Sequence, residues 1–290
     1  MPRIELEAEI PLELADSRFD QAVAAMFPEH SRSRLKAWIL DGTLTLDGMQ
    51  AKPRDKVDGG EQVRLDTPMP EELRVAAQDI EFEVVHEDST LIVVNKPAGL
   101  VVHPGAGNQD RTLQNGLLHR YPELSAVPRA GIVHRLDKDT SGLMLIARTL
   151  EAHTFLTREL AERLIKREYL AICHGTMTAG GKVDMPIDRH PNARTKMAVH
   201  PRGRPALTHY IVEDRYLAHT LIRARLETGR THQIRVHMAH IRHGLVGDPV
   251  YGGRLRLPAG ADEALANLLR GFKRQALHAT SLALSHPETG

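Results

Sequence analysis

The stretch GIVHRLDKDTSGLMLIAR (131–148) sets a dense polar loop between two apolar runs. Ile132 and Val133 lead in, Leu143, Leu145 and Ile146 lead out, and His134, Arg135, Asp137, Lys138, Asp139, Thr140 and Ser141 stand between them. Short apolar runs bounded by turn residues read as buried strands. A loop held by two such strands is a place from which side chains are presented. By residue type alone, a loop carboxylate such as Asp137 is more often a turn former or ion-pair partner than a reactive carboxylate.

Outward from this loop the same signature recurs in FEVVHED (82–88), LIVVNKP (91–97), EYLAIC (168–173), ALTHYIV (206–212) and HTLIRARLE (219–227). Helical spacing is rarer. It falls at 112–120, at 149–164 with Leu156, Leu160 and Leu164 four residues apart, and at 231–243 ahead of Gly244. Strands follow strands more often than they alternate with helices, which predicts an α+β domain with a large mixed or antiparallel sheet flanked by helices, over 82–290.

Ahead of it lies a different unit. In SRFDQAVAAMF (17–27), Phe19, Val23 and Met26 share a helix face, with Asp16 or Ser17 placed as cap. SRSRLKAWIL (31–40) starts at a capping Ser31 and gathers Leu35, Trp38 and Ile39 on one side, leaving Arg32, Arg34 and Lys36 to solvent. DGTLTLDG and EQVRLD add two short strands, the second with Val63 and Leu65 on one face. A small α/β module over 15–68 follows from this, joined by a Pro- and acid-containing linker over 69–81.

The 290 residues are 41% hydrophobic, enough for a sizeable core in one or two domains. A formal charge of +1 leaves any affinity for polyanions to local clusters. The single cysteine, Cys173, excludes an internal disulfide and reads as a small buried hydrophobe. MPRIELEAEI carries no secretory signal, and the run Leu91–Val102 is broken by Asn95, Lys96 and Pro97, so a cytoplasmic protein without a membrane span is expected. No phosphate-binding glycine loop or dinucleotide fingerprint occurs. His237, His240 and His243 recur every third residue, but without a Glu-x-x-His partner. Neither a metal nor a cofactor is expected.

The run HRLDKDTSG (134–142) closely resembles the hallmark of the RluA/RluD family of pseudouridine synthases. NKPAGLVVHP (95–104), KREYLAICHG (166–175) and ETGRTHQIRVHMAHIRHG (227–244), followed by VGDPVYGG and RQALHA, match the same family in order. The N-terminal module resembles the S4 RNA-binding domain that many members carry, with Phe19 where leucine is common. The chain stops at SHPETG, where relatives continue through another strand, and a truncated C-terminus with an exposed sheet edge is the corresponding expectation.

The resemblance implies isomerisation of uridine in RNA: the N-glycosidic bond breaks, the base turns, and its C5 joins C1′ of the same ribose. It makes Asp137 the essential carboxylate, either attacking C1′ or removing a ribose proton on the way to a glycal. An ionised aspartate in a partly desolvated pocket needs a cation beside it. Arg235 matches the family position for that partner, with Arg230 as the alternative. Tyr169 matches the residue that stacks on the target uracil and assists proton removal from C5. Arg135 matches the residue that fills the gap left by a flipped-out nucleotide; the competing role is an ion pair within the loop. His134 is expected to be a structural hydrogen-bonder.

RHPNARTKMAVHPRGRP (189–205) sets Arg189, Arg194, Lys196, Arg202 and Arg204 against no acid and reads as a basic hairpin for RNA phosphates. Arg18, Arg32, Arg34 and Lys36, with Lys52 and Arg54, offer a second basic face on the N-terminal module. The RluD branch implies large-subunit rRNA, free or in pre-50S particles, at the helix 69 stem-loop; a monomer is expected, though not from the resemblance. Other branches act on tRNA. A non-catalytic assembly factor on rRNA and a two-carboxylate glycoside hydrolase, with Asp139 as the companion to Asp137, are the rival classes.

Overall fold

Ile4, Leu6 and Ala8 alternate with Glu5, Glu7 and Glu9, and in the computed structural model this run forms strand β1 (Arg3–Glu9). The alternation, which sequence reading used only to exclude a signal peptide, is that of a half-buried strand. The structure describes residues 3–28, 30, 32–68, 75–105 and 107–290, apart from the side chains of Arg3, Ser33, Pro68 and Arg194. The chain divides into two compact units, Met1–Arg74 and Val75–Gly290.

In the first unit, α1 (Phe19–Met26) and α2 (Arg32–Leu40) are followed by β2 (Leu44–Leu46) and β3 (Gln62–Pro68). The strands form an antiparallel sheet in the order β1-β3-β2. Phe19, Val23, Leu35, Trp38, Ile39, Val63 and Leu65 build its core, as their spacing predicts. The expected cap of α1 is not made. Arg18 takes the cap position without a side-chain capping bond, Ser17 Oγ donates backward to the Leu14 carbonyl, and Asp16 turns the chain at φ 62°. The Ser31 cap and positions 69–74 of the linker lie outside the described residues.

The second unit runs β4 (Glu83–Glu87), β5 (Leu91–Lys96), α3 (Leu113–Arg120), β6 (Ser141–Ala147), α4 (Leu150–Ala161), β7 (Lys166–His174), β8 (Gly181–Asp184), β9 (Ile187–His190), β10 (Ala193–Val199), β11 (Leu207–Arg215), β12 (His219–Leu226), α5 (Gln233–His240), α6 (Glu263–Gly271) and β13 (Leu277–Ala283). Eight strands form one sheet in the order β4-β5-β6-β13-β7-β12-β11-β8. All neighbours pair antiparallel except β13 with β6, so the sheet is mixed. The last strand sits in the centre, and β4 and β8 form the edges. β9 and β10 make a separate two-stranded hairpin, the form expected for the basic segment.

The centre of the sheet is covered on both faces, which is why β5 and β6 are nearly continuously apolar. Ile92, Val94, Met144 and Ile146 pack with Leu113 and Leu117 of α3 and Ile234 and Met238 of α5, while Leu91, Leu145 and Ala147 meet Ala152 and Leu156 of α4. Where β13 joins β6, Gly142 is at φ +115° and a Cβ there would stand 2.2 Å from the Ala279 carbonyl oxygen. The glycine of the 134–142 run is therefore required for the two strands to meet.

Three helical expectations need correction. α4 ends at Ala161, because Arg163 turns into the left-handed region (φ 64°) to start β7, and Leu164 is left exposed. α5 is shorter than 231–243: His232 holds the cap position in a left-handed conformation, and Arg242 (φ 67°) stops it before Gly244. α6 and β13 were not anticipated. The alternation in LHATSLA is carried by small residues, so its periodicity is faint.

Candidate active site

The loop before β6 is pinned from below by a lysine with no solvent exposure. Lys96, at the end of β5, donates to the carbonyls of Pro97, Leu100 and Lys138 at 2.8–2.9 Å. Burial brings its pKa down to about 8, with Asp139 and Asp137 opposing that shift and Arg274 adding to it. Gln275 Nε2 donates to Thr140 Oγ1 at 3.0 Å, and the Thr140 amide donates to the Asp137 carbonyl at 3.1 Å, closing the turn. His134 Nε2 accepts from the Leu145 amide at 3.0 Å, and desolvation, reinforced by Arg167, lowers its pKa to about 3. It is thus a neutral structural residue.

This frame presents Asp137 to α5. Arg235 Nη1 donates to Asp137 Oδ2 at 2.9 Å. Its Nε and Nη2 donate to both oxygens of Asp248 at 2.7 and 2.9 Å, so the two-pronged grip falls on Asp248 and a single bond on Asp137. Burial alone disfavours the Arg235 cation, but Asp248 and then Asp137 overcome it and hold the guanidinium firmly protonated. Burial likewise opposes ionisation of Asp248, and Arg235 with the Val250 and Tyr251 amides reverses the balance, keeping that carboxyl below its ordinary range. Arg230, the alternative partner, donates through Nε to the Pro205 carbonyl.

His232 Nε2 lies 3.8 Å from Asp137 Oδ1, beyond hydrogen-bond length. Its Nδ1 meets the Tyr251 hydroxyl at 2.8 Å, and that hydroxyl accepts the Met197 amide of β10 at 2.8 Å. Tyr251 also lies under the Arg235 guanidinium, 5.0 Å from ring centre to Cζ. The basic hairpin is thereby tied to the residue beside Asp137.

Asp137, Arg235, Tyr169 and Arg135 line one cleft of about 410 Å³. Tyr169 projects from the buried face of β7, and burial raises its pKa, with Arg167 countering and Asp137 adding to the rise. Its phenol is neutral near pH 7. Arg135 is exposed at the cleft and forms no hydrogen bond or ion pair with the described residues, so the loop ion pair considered for it is not made.

The remaining basic residues lie elsewhere. Arg189, Lys196, Arg202 and Arg204 are exposed on or beside the hairpin; the side chain of Arg194 lies outside the described part. In the first unit, Arg32, Lys36, Lys52 and Arg54 are exposed, Arg34 lies over Trp38, and Arg18 is bound to Asp20. Among the described residues no group of three or more histidines, cysteines and acids gathers as metal ligands. His237 instead bonds Thr208 and the Met185 carbonyl. Cys173 is buried in β7, and burial pushes its thiol up to about 12. No helix among the described residues is long and apolar enough to cross a membrane.

Sequence reasoning missed Asp248, His232, Tyr251, Lys96 and Gln275 as parts of this site. All five stand in segments already quoted as family motifs, but residue type alone did not distinguish them from neighbours.

A mixed central sheet delivers a carboxylate, an arginine and a tyrosine to one cleft, and the chain belongs to the RNA pseudouridylate synthase family, enzymes that isomerise uridine in RNA, whose profile matches residues 90–240. It is 58% identical over 289 residues to the ribosomal large subunit pseudouridine synthase D of Escherichia coli strain K12, covering 99% of this chain and 89% of that one. The protein of the same name from Xanthomonas campestris is 56% identical over 284 residues, covering 98% and 86%. Among solved structures, human RNA pseudouridylate synthase domain containing 1 superposes with a TM-score of 0.55 at 25% identity, over 71% of this chain and 79% of that one. Domain containing 4 gives 0.52 at 28%, over 70% and 84%.

Proposed function

We propose that the chain converts uridine to pseudouridine in large-subunit ribosomal RNA, at the helix 69 stem-loop, as a cytoplasmic monomer. Asp137 is the reacting carboxylate, and the observation that carries this is its 2.9 Å hydrogen bond from an arginine otherwise committed to Asp248. The cation aims Asp137 while leaving Oδ1 without a hydrogen bond from the described residues. Such an oxygen can attack C1′ as the N1–C1′ bond breaks, or take a ribose proton; both routes end with C5 bonded to C1′ and the C5 proton released.

Tyr169, held as a neutral phenol on the wall of the cleft, serves as the surface on which the uracil stacks. Arg135 enters the space left by the flipped nucleotide. The names of the bacterial relatives support rRNA over tRNA. The residues 15–68 act as an S4-like RNA-binding module, 69–81 as linker and 82–290 as the catalytic domain. Arg18, Arg32, Arg34 and Lys36 in the module, and Arg189, Arg194, Lys196, Arg202 and Arg204 about the hairpin, contact phosphates.

The test is tritium release from RNA labelled at uridine C5, with wild-type protein and Asp137→Ala, on large-subunit rRNA and on tRNA. Release by wild type alone and from rRNA alone is expected. Release from tRNA alone overturns the substrate, release by the variant overturns the role of Asp137, and tight binding without release favours an assembly factor.

A further inference from the structure

On the buried face of β7, one pleat before Tyr169, stands a charged residue. Arg167 is 8% exposed, on the same side of the strand as Tyr169, Ala171 and Cys173. Its guanidinium makes no hydrogen bond or ion pair with the described residues, and its Nε is fully buried without a partner. Burying a cation without a counter-ion is unfavourable relative to an apolar residue of similar volume. Packing does not account for it.

Arg167 lines the cleft that holds Asp137. The carboxylates along that cleft are already engaged, Asp137 by Arg235 and Glu227 by His209 at 2.6 Å with Arg163 at 3.7 Å. Space is also kept for the guanidinium. A Cβ at Gly229 would stand 2.9 Å from Arg167 Nη1, so any larger residue there would press on it. The next residue, Arg230, lines the same cleft with its Nε on the Pro205 carbonyl. An anion entering here meets one buried arginine and a second beside it.

We infer that Arg167 is the inner binding site for a phosphodiester of the substrate RNA, the one adjoining the everted uridine, with Arg230 flanking it. This rests on the RNA-modifying reading above. A planar guanidinium gives a phosphate two parallel hydrogen bonds, and a low-dielectric site strengthens them. The uridine would be positioned by its backbone at Arg167 and by its base at Tyr169, two residues apart on one strand.

The test uses the full chain and a helix 69 stem-loop transcript, with affinity measured over a series of KCl concentrations for wild type, Arg167→Met and Arg167→Lys. A parallel transcript carries neutral methylphosphonate linkages on either side of the target uridine. The Met variant is expected to bind about tenfold more weakly, to lose about 0.7 from the slope of log affinity against log salt, and to melt at a higher temperature than wild type. Lys should restore most of the binding, and the methylphosphonate RNA should bind wild type and the Met variant alike.

A Met variant that melts lower would make Arg167 a structural residue and overturn the inference. So would an unchanged affinity and salt slope, including the case where only the single-turnover rate falls, which would place Arg167 on the base. Wild-type protein that binds the transcript without converting it would count against the proposed substrate, and the comparison of slopes would still judge Arg167.

Discussion

Arg235 gives two guanidinium nitrogens to Asp248 and one to Asp137, so the fully buried carboxylate is the anchor and the cleft carboxylate is the one left available. Asp248 is itself fixed by the Val250 and Tyr251 amides at 2.9 and 3.0 Å. Replacing it by asparagine leaves the arginine half-paired in a buried site. A loss of about 3 kcal/mol in urea unfolding is expected. Arg235 would also shift relative to Asp137, lowering the single-turnover rate on the order of a hundredfold while RNA affinity changes little.

Asp137→Asn should behave differently. Arg235 keeps both bonds to Asp248, so no buried charge is stranded. The melting temperature is expected within about 4 °C of wild type, a change of under about 1 kcal/mol, with no tritium released. A variant that unfolds would make Asp137 a structural residue first.

His134 makes stability acid-sensitive. The unfolded chain takes up a proton as pH falls below 6.5, whereas the folded protein refuses it until about pH 3 because desolvation disfavours the charged ring. Stability is thus complete above 6.5 and declines toward 3, by up to about 1.4 kcal/mol per pH unit from this residue. Glutamine can accept the Leu145 amide without titrating, so His134→Gln should flatten the dependence of urea midpoint on pH between 6 and 4 (a window of roughly two units,). Equal slopes in the two proteins would refute the assignment.

At Gly142, alanine meets both a positive φ and the Ala279 backbone at 2.2–2.8 Å. Gly142→Ala should separate β13 from β6 and cost more than about 3 kcal/mol, read as loss of soluble protein or a collapsed thermal transition. Gly99→Ala is the control: its φ is also positive, at 89°, but nothing lies within 4 Å of its Cβ, so only the backbone cost of about 1 kcal/mol applies.

Much of the catalytic unit was legible because its strands are written in runs of β-branched and aliphatic residues that fit one kind of structure. LIVVNK and GLMLIA are buried on both faces, and no other arrangement hides them. Elements carried by weak patterns were lost. β1 hides its alternation among glutamates, β13 among small residues, and the last turn of the 149–164 segment fails because Arg163 redirects the chain. Caps failed for the same reason: Arg18 and His232 occupy cap positions through backbone geometry that tertiary contacts impose.

At the site, the sequence by itself carried the hallmark run, and through its resemblance the family and the candidates Asp137, Arg235, Tyr169 and Arg135, which the fold brings to one cleft. It did so because a reaction on one glycosidic bond demands particular side chains at particular spacings along short segments. Only the tertiary structure decided how those segments meet. It made Asp248 the stronger partner of Arg235, placed Lys96 under the loop, linked the hairpin through Tyr251 to His232, and left Arg167 buried without a partner among the described residues. Pairings over such separations depend on which strands are neighbours in the sheet and on how much water is excluded between them, and neither quantity is local to any stretch of chain.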